Sequence, residues 1–226
     1  MRHTCCRPDY DALFDDRTAR RELAAYRRNG AKGTTRRLVE AIAAEGVTSA
    51  TLLDIGGGVG VIGVELLHRG ARHLTDVDAS GPYLAAARSE TDRRGFGERS
   101  TFLHGDFVQR AAEVPAADVV TLDRVVCCYD DWQALIDRSA ERATRLLGLV
   151  YPRDRWWMRA GIGIVRRVGR LFGQALPFNV HPEAAVDARI CDAGFVPILQ
   201  DRGAFWQTAL YRRTSGTAIS PTGGAD

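Results

Sequence analysis

The feature that most constrains this chain is a run of glycines directly after an apolar segment. Thr51-Leu52-Leu53-Asp54-Ile55 has the length and side chains of a buried strand, and Gly56-Gly57-Gly58-Val59-Gly60 follows without a break. Val61 to Arg69 then reads as a helix, so the glycines make a strand-to-helix turn. Bare backbone there lets a ligand approach closely, and the helix N-terminus beyond it favours an anionic group. Four glycines in five positions are more than a turn alone requires.

The same alternation runs through the chain. Asp9 to Glu45 carries helical patterning with start signals at Asp15, Asp16 and Thr18, divided by Gly30 and Gly33 into a short helix and a longer one from Thr34 to Ala44. Further strands are predicted at His73–Val77, Thr101–Leu103, Val119–Leu122 and Leu147–Tyr151. Helices are predicted from Ser80, over Trp132–Leu146, Trp156–Phe172 and Pro182–Ala193. Phe195–Leu199 and Phe205–Arg212 close the chain as strands whose short connection makes them antiparallel. This order predicts an α/β fold: a Rossmann-like, doubly wound, mostly parallel sheet of about seven strands, an antiparallel C-terminal strand and helices on both faces. Ligands in such sheets bind beyond the carboxyl ends of the strands, where strand order reverses.

A chain of 226 residues suits one such domain. The domain is expected over 1–213, with an N-terminal helical cap at 1–46, a substrate-side helical insertion at 152–180 and a flexible tail at 214–226. Net charge is only +3 and Lys32 is the sole lysine, so the arginines reflect composition and give no reason to expect a nucleic-acid partner. The first residues lack the apolar core of a signal peptide, and no stretch has the length of a membrane span. Five cysteines, two pairs of them adjacent, make a poor disulfide framework and point to a reducing, cytoplasmic setting. No metal site is expected, because Cys5-Cys6 and Cys127-Cys128 lack the spacing that turns thiolates toward one zinc.

The glycines fit two cofactor registers. Gly58-Val59-Gly60-Val61-Ile62-Gly63 is a literal G-x-G-x-x-G dinucleotide fingerprint, but it leaves Gly56 and Gly57 at the end of the strand, where glycine weakens pairing. The register Asp54-x-Gly56-x-Gly58-x-Gly60 ends the strand cleanly and sets a carboxylate beside the loop. That carboxylate would repel a pyrophosphate but suits the ammonium and sulfonium charges of S-adenosylmethionine (SAM). Asp78 follows the second strand about 20 residues later, where a carboxylate can accept both ribose hydroxyls. Asp76 is the alternative, and the competing role for Asp78 is a helix cap, for which Ser80 is better placed.

Leu53 to Gly60 resembles motif I of the class I SAM-dependent methyltransferases. The resemblance continues through Asp76-Val77-Asp78-Ala79-Ser80, His104-Gly105-Asp106-Phe107 and Ala117 to Arg124, in the family's order, over roughly Thr34 to Tyr151. It implies SAM as cofactor, held by Asp54, Gly56, Gly58, Gly60, Asp78, Asp106, Phe107 and Asp123. Within that set the resemblance gives Asp106 the adenine amino group and the Phe107 backbone an adenine ring nitrogen, with core packing an equal alternative for Phe107. It also implies that the N-terminal segment around Tyr26, Lys32, Gly33 and Thr34 closes over SAM. A narrower likeness, carried by Tyr10 to Thr35 and the Cys127-Cys128-Tyr129 turn, is to magnesium-protoporphyrin O-methyltransferases.

The expected reaction is methyl transfer to a small-molecule acceptor by direct in-line displacement, since SAM brings an activated methyl group and the protein's task is alignment. A base is needed only if the acceptor must lose a proton; Tyr129, Tyr151 and His181 are the candidates, with Asp154 and His181 suited to structural roles. Cys127 and Cys128 read as small packing residues. Trp156 and Trp157 suit a flat or apolar acceptor, and 156–172 stays open as a lid, a core helix or a peripheral membrane contact. Two other functions stay open here: an NAD-dependent oxidoreductase and a non-catalytic SAM-binding module.

Overall fold

A computed structural model describes residues 10–158 and 178–214. Cys5, Cys6, most of the expected helix Trp156–Phe172 and the tail after Thr214 lie outside the described residues. The strands are β1 (Thr51–Ile55), β2 (His73–Asp78), β3 (Ser100–His104), β4 (Ala117–Asp123), β5 (Ala143–Pro152), β6 (Phe195–Arg202) and β7 (Trp206–Arg213). They form one sheet in the order β3-β2-β1-β4-β5-β7-β6, parallel except for β7, which runs antiparallel to β5 and β6. The chain reverses direction across the sheet between β1 and β4, so a crevice opens beyond their carboxyl ends.

The helices are α1 (Tyr10–Leu13), α2 (Asp16–Asn29), α3 (Gly33–Ala44), α4 (Val61–His68), α5 (Gly81–Arg93), α6 (Phe107–Arg110), α7 (Trp132–Arg142) and α8 (Glu183–Asp192). Strand alternation decides which faces they cover. Leu52, Leu74, Val119 and Leu146 bury one face against Leu38, Ile42, Ile62 and Leu66 of α3 and α4. Leu53, Val77, Val120 and Leu147 bury the other against Leu135, Ile136, Val186 and Ile190 of α7 and α8. Two start signals act as read: Asp15 accepts the Thr18 N–H at 2.9 Å and Ser80 the Tyr83 N–H at 3.3 Å; Asp131 caps α7 in the same way, accepting the Ala134 N–H at 3.1 Å.

Several boundaries differ from expectation, two of them for reasons that packing and pairing explain. Of the helices on either side of Gly30, α2 is the longer, 14 residues against 12 for α3, because its Ala19, Leu23 and Tyr26 make a buried stripe that carries the helix to Gly30. The helix predicted to run to Leu146 ends at Arg142, and β5 begins at Ala143 because Ala143 and Leu146 pair with Ala117 and Val119 of β4.

Candidate active site

A cavity of about 290 Å³ lies where the strand order reverses. Its floor is the glycine turn with the ends of β1, β2 and β4; Tyr83, Phe107, Tyr129 and the N-terminal residues Tyr10 and Phe14 form its walls. The turn is built from left-handed backbone at Gly56, Gly58 and Gly60, with φ of 63°, 58° and 79°. Gly57 is needed for a different reason: a Cβ there would stand 2.7 Å from Asp76 Oδ1. The loop therefore lies flat on a buried carboxyl group. At Gly58, by contrast, a Cβ would reach only Tyr83 at 3.7 Å, so a side chain is disfavoured there by backbone conformation rather than by crowding.

Asp54, Asp76, Asp78 and Asp123 are gathered around this turn. Asp54 and Asp76 are register partners on β1 and β2, and Asp54 pairs across with Thr121 on β4, so all three point to one face. Asp54 is 2% exposed; its Oδ1 accepts the Thr121 hydroxyl at 2.7 Å, while Oδ2 has no hydrogen-bond partner among the described residues. Burial, with the charges of Asp123 and Asp78, pushes its carboxyl up to about 7. Burial and the neighbouring Asp54 and Asp78 hold Asp76 well above its ordinary value. Asp76 lies behind the loop and does not line the cavity, which removes it as the ribose alternative.

Asp78 does line the cavity, at the end of β2. Its Oδ2 accepts the Gly58 N–H at 3.0 Å and its Oδ1 the Ser80 N–H at 2.8 Å, which fixes the carboxylate against the glycine turn. Burial raises its carboxyl above the ordinary value, and those two N–H groups pull it back. Asp123, ending β4, accepts the Thr35 hydroxyl of α3; burial raises its carboxyl, opposed by Arg124 and Thr35. Asp106 caps α6 by accepting the Val108 N–H at 2.8 Å, and both its oxygens receive the Tyr129 hydroxyl at 2.9 Å. Phe107 is buried in the core cluster while also lining the cavity.

The other catalytic candidates lie elsewhere. Tyr151 is 1% exposed and absent from the cavity wall; its hydroxyl donates to Asp187 of α8 at 3.3 Å, beside Tyr211, which donates to the same carboxylate. The inward face of β5 is core here, which corrects the expectation for Tyr151. His181 bonds the Val126 carbonyl at 3.1 Å and packs at a tilt of 31° against Trp132, ring centroids 5.2 Å apart. Burial holds its imidazole below the ordinary value, and the ring lies outside the cavity wall. Asp154 also lies off the cavity wall, and its backbone N–H donates to Glu183 at 2.9 Å. Tyr129 alone of the three candidates faces the cavity.

The N-terminal segment does cover the cavity, but through residues other than those expected. Tyr26 is buried with its hydroxyl on Glu65 at 3.0 Å, and Thr34 receives Arg124 at 3.3 Å. The covering residues are Tyr10, Phe14, Glu22 and Thr35. Tyr10 donates to the Cys128 carbonyl at 3.2 Å on one side; on the other, Ser80 donates to the Phe14 carbonyl at 2.9 Å and Gly81 N–H to Asp11 at 2.8 Å. Nothing in the local sequence marks these contacts, which join positions far apart in the chain. Arg124, also on the wall, takes left-handed backbone at φ 64° and lays its guanidinium over Trp206, 5.3 Å from the ring centroid. Among the described residues no helix is long and apolar enough to cross a membrane, and no cluster of three or more metal-ligating side chains occurs.

The residues present suit SAM better than a dinucleotide. Gly58 and its neighbours offer bare backbone, and Asp54 keeps a buried oxygen unpartnered beside several further carboxylates. Such a group of acids repels a pyrophosphate and attracts a cation.

Comparison with known proteins agrees. Residues 52–147 match the methyltransferase domain family. The magnesium protoporphyrin IX methyltransferase of Synechocystis PCC 6803, solved with bound SAH, is 20% identical, with TM-score 0.67 over 90% of this chain and 100% of that one. Its structure with bound SAM gives 19% identity, TM-score 0.66, and coverage of 94% and 100%. An O-methyltransferase family protein from Burkholderia thailandensis is 19% identical with TM-score 0.69, covering 92% of this chain and 64% of that one. An O-methyltransferase family 2 protein from Planctomyces limnophilus, in complex with apigenin, is 16% identical with TM-score 0.64 over 88% and 62%. Comparison with curated protein sequences finds no match.

Proposed function

We propose that this chain is a class I SAM-dependent methyltransferase that moves the methyl group of SAM to a small-molecule acceptor by direct in-line displacement. The observation that carries this reading is the enclosure of Asp54, Asp78, Asp106 and Asp123 with the glycine turn in one cavity that α1 and α2 cover. SAM, when bound, supplies the activated methyl group. Asp78 accepts the ribose hydroxyls, Asp106 and the Phe107 backbone receive the adenine, and the glycine turn takes the amino-acid end, with Asp54 facing its ammonium. Asp123, fixed by Thr35, borders the methyl side.

The acceptor approaches past Arg124, Cys128 and Tyr129, the remaining wall of the cavity. The aromatic groups nearby favour a flat or apolar molecule: Trp206 lies under Arg124, Phe178 stands edge-on to Trp206, and Trp157 edge-on to Phe205. Solved neighbours named for porphyrin and apigenin support that class of acceptor. Tyr129 is the residue placed to orient the acceptor, and its bond to Asp106 keeps its hydroxyl fixed. No covalent step through the protein is required. The unit is read as one domain over 1–213, and its free thiols Cys127, Cys128 and Cys191 fit a reducing, cytoplasmic setting.

The test is incubation with methyl-labelled SAM and fractionated cell extract. Label should enter the small-molecule fraction and depend on Asp78. Label confined to protein or nucleic acid, or SAM bound without any transfer, would contradict the proposal, the second outcome favouring a non-catalytic SAM-binding module.

A further inference from the structure

We propose that Cys127 and Cys128 are a thiol–disulfide modification site, which a small-molecule disulfide oxidises to a bond between the two neighbours and which thereby loosens the wall of the cavity. Side chains of adjacent residues ordinarily diverge. Here a short 3-10 turn over Val126–Cys128 brings the two sulfurs to 3.6 Å, with the Arg124 carbonyl near both. Their exposures differ in a useful way: Cys128 is partly exposed and lines the cavity, whereas Cys127 is 1% exposed. An incoming reagent therefore meets Cys128 first, and Cys127 is already within reach of whatever forms there.

The reaction balances without a metal or cofactor. The Cys128 thiolate attacks one sulfur of the small disulfide and expels the other as a thiolate. Cys127 then attacks the mixed disulfide at Cys128 and expels the second thiolate. The protein loses two thiol hydrogens and two electrons, and the small disulfide leaves as two thiols. The Cys127 S–H donating toward its neighbour holds the Cys128 thiol below its ordinary value, which favours that order.

The consequence follows from the one amide that joins the pair. Its carbonyl, on Cys127, accepts the Asn179 N–H at 2.7 Å, and its N–H, on Cys128, donates to the Val125 carbonyl at 2.9 Å. Closing the sulfurs from 3.6 Å to a bond of about 2 Å makes a small ring through that amide and rotates it, so neither hydrogen bond keeps its alignment. The flanking carbonyls are also in use: Val126 receives His181 at 3.1 Å and Cys128 receives Tyr10 at 3.2 Å. Three successive carbonyls of one turn thus hold the N-terminal cover and the residues Asn179 and His181.

The experiment uses the full chain carrying Cys5→Ser, Cys6→Ser and Cys191→Ser, treated with oxidised glutathione. Peptide masses are read together with hydrogen exchange at Asn179. The expected result is a peptide across 126–129 lighter by two hydrogens, with no glutathione retained and reversal by dithiothreitol. Exchange at the Asn179 amide should rise about tenfold or more. With Cys127→Ser added, glutathione should instead stay attached to Cys128. If the substituted chain does not fold, the native chain gives the same peptide readout. Glutathione retained on Cys128 with Cys127 present, or a 127–128 disulfide that leaves Asn179 exchange unchanged, would overturn the proposal. Methyl transfer is not among the readouts, so failure here is distinguishable from failure of the acceptor reading.

Discussion

At the scale of the residue, the chemistry rests on carboxylates whose environments differ. Asp78 is ready to accept hydrogen bonds, held by Gly58 and Ser80 N–H groups at 3.0 and 2.8 Å. Asp78→Ala should weaken SAM binding by about 1.5–3 kcal/mol, the loss of a charge-assisted pair. Asp78→Asn, which keeps the side-chain size but can accept from only one of the two N–H groups, should recover part of the stability and none of the affinity; isothermal titration with thermal melts separates the two. Asp54 gives a pH signature. Its folded value of about 7 lies above the ordinary 3.8, so the free chain holds a proton there that the unfolded chain has released. The stability this contributes is full below the ordinary value and is lost as pH rises through about 7. A cationic ligand reverses the preference and ionises Asp54. At about pH 6, SAM binding should release up to one proton, read as a dependence of the titration heat on buffer ionisation enthalpy. Asp54→Asn should abolish that dependence, and its persistence would assign the proton elsewhere. Gly57→Ala should cost more stability than a typical glycine substitution, because its Cβ meets the Asp76 carboxyl at 2.7 Å.

At the scale of the element, the strand–turn–helix of β1 and α4 was readable because its signals are local: apolar run, glycines, apolar helix. The cover over the cavity was only half readable. Tyr26, Lys32, Gly33 and Thr34 were the expected closing residues, yet Tyr10, Phe14, Glu22 and Thr35 line the cavity. Which side of α2 faces inward depends on packing against α5, where Glu90 binds Arg27 at 2.7 Å and accepts from Arg94 at 3.0 Å. That anchor lies far along the chain and leaves no local mark. Tyr10→Phe removes the bond from the cover to Cys128, worth about 1 kcal/mol. SAM should then dissociate about fivefold faster in stopped-flow displacement, with melting temperature little changed. An unaltered off-rate would mean that the cover is held by α2 and by the bonds from Ser80 and Gly81 to Phe14 and Asp11.

At the scale of the whole molecule, the strand order β3-β2-β1-β4-β5-β7-β6 sets the site where order reverses. Alternating strands and helices were enough to predict that location, and Asp54, Asp78, Asp106 and Asp123 all reach the cavity wall there. Tyr151 and His181 were misplaced for a single reason. Their partners, Asp187 and Val126, lie 36 and 55 residues away in the chain, so nothing in the local sequence marks them. The cofactor question was ambiguous in the glycines alone; what resolves it is the grouping of acids around them, a property of the sheet register rather than of any one motif.

The most direct test of this account is isothermal titration of the purified chain with SAM and, separately, with NAD. One saturable site for SAM, weakened by Asp78→Asn, and no detectable NAD heat is the predicted result. Tight NAD binding without SAM binding would contradict it.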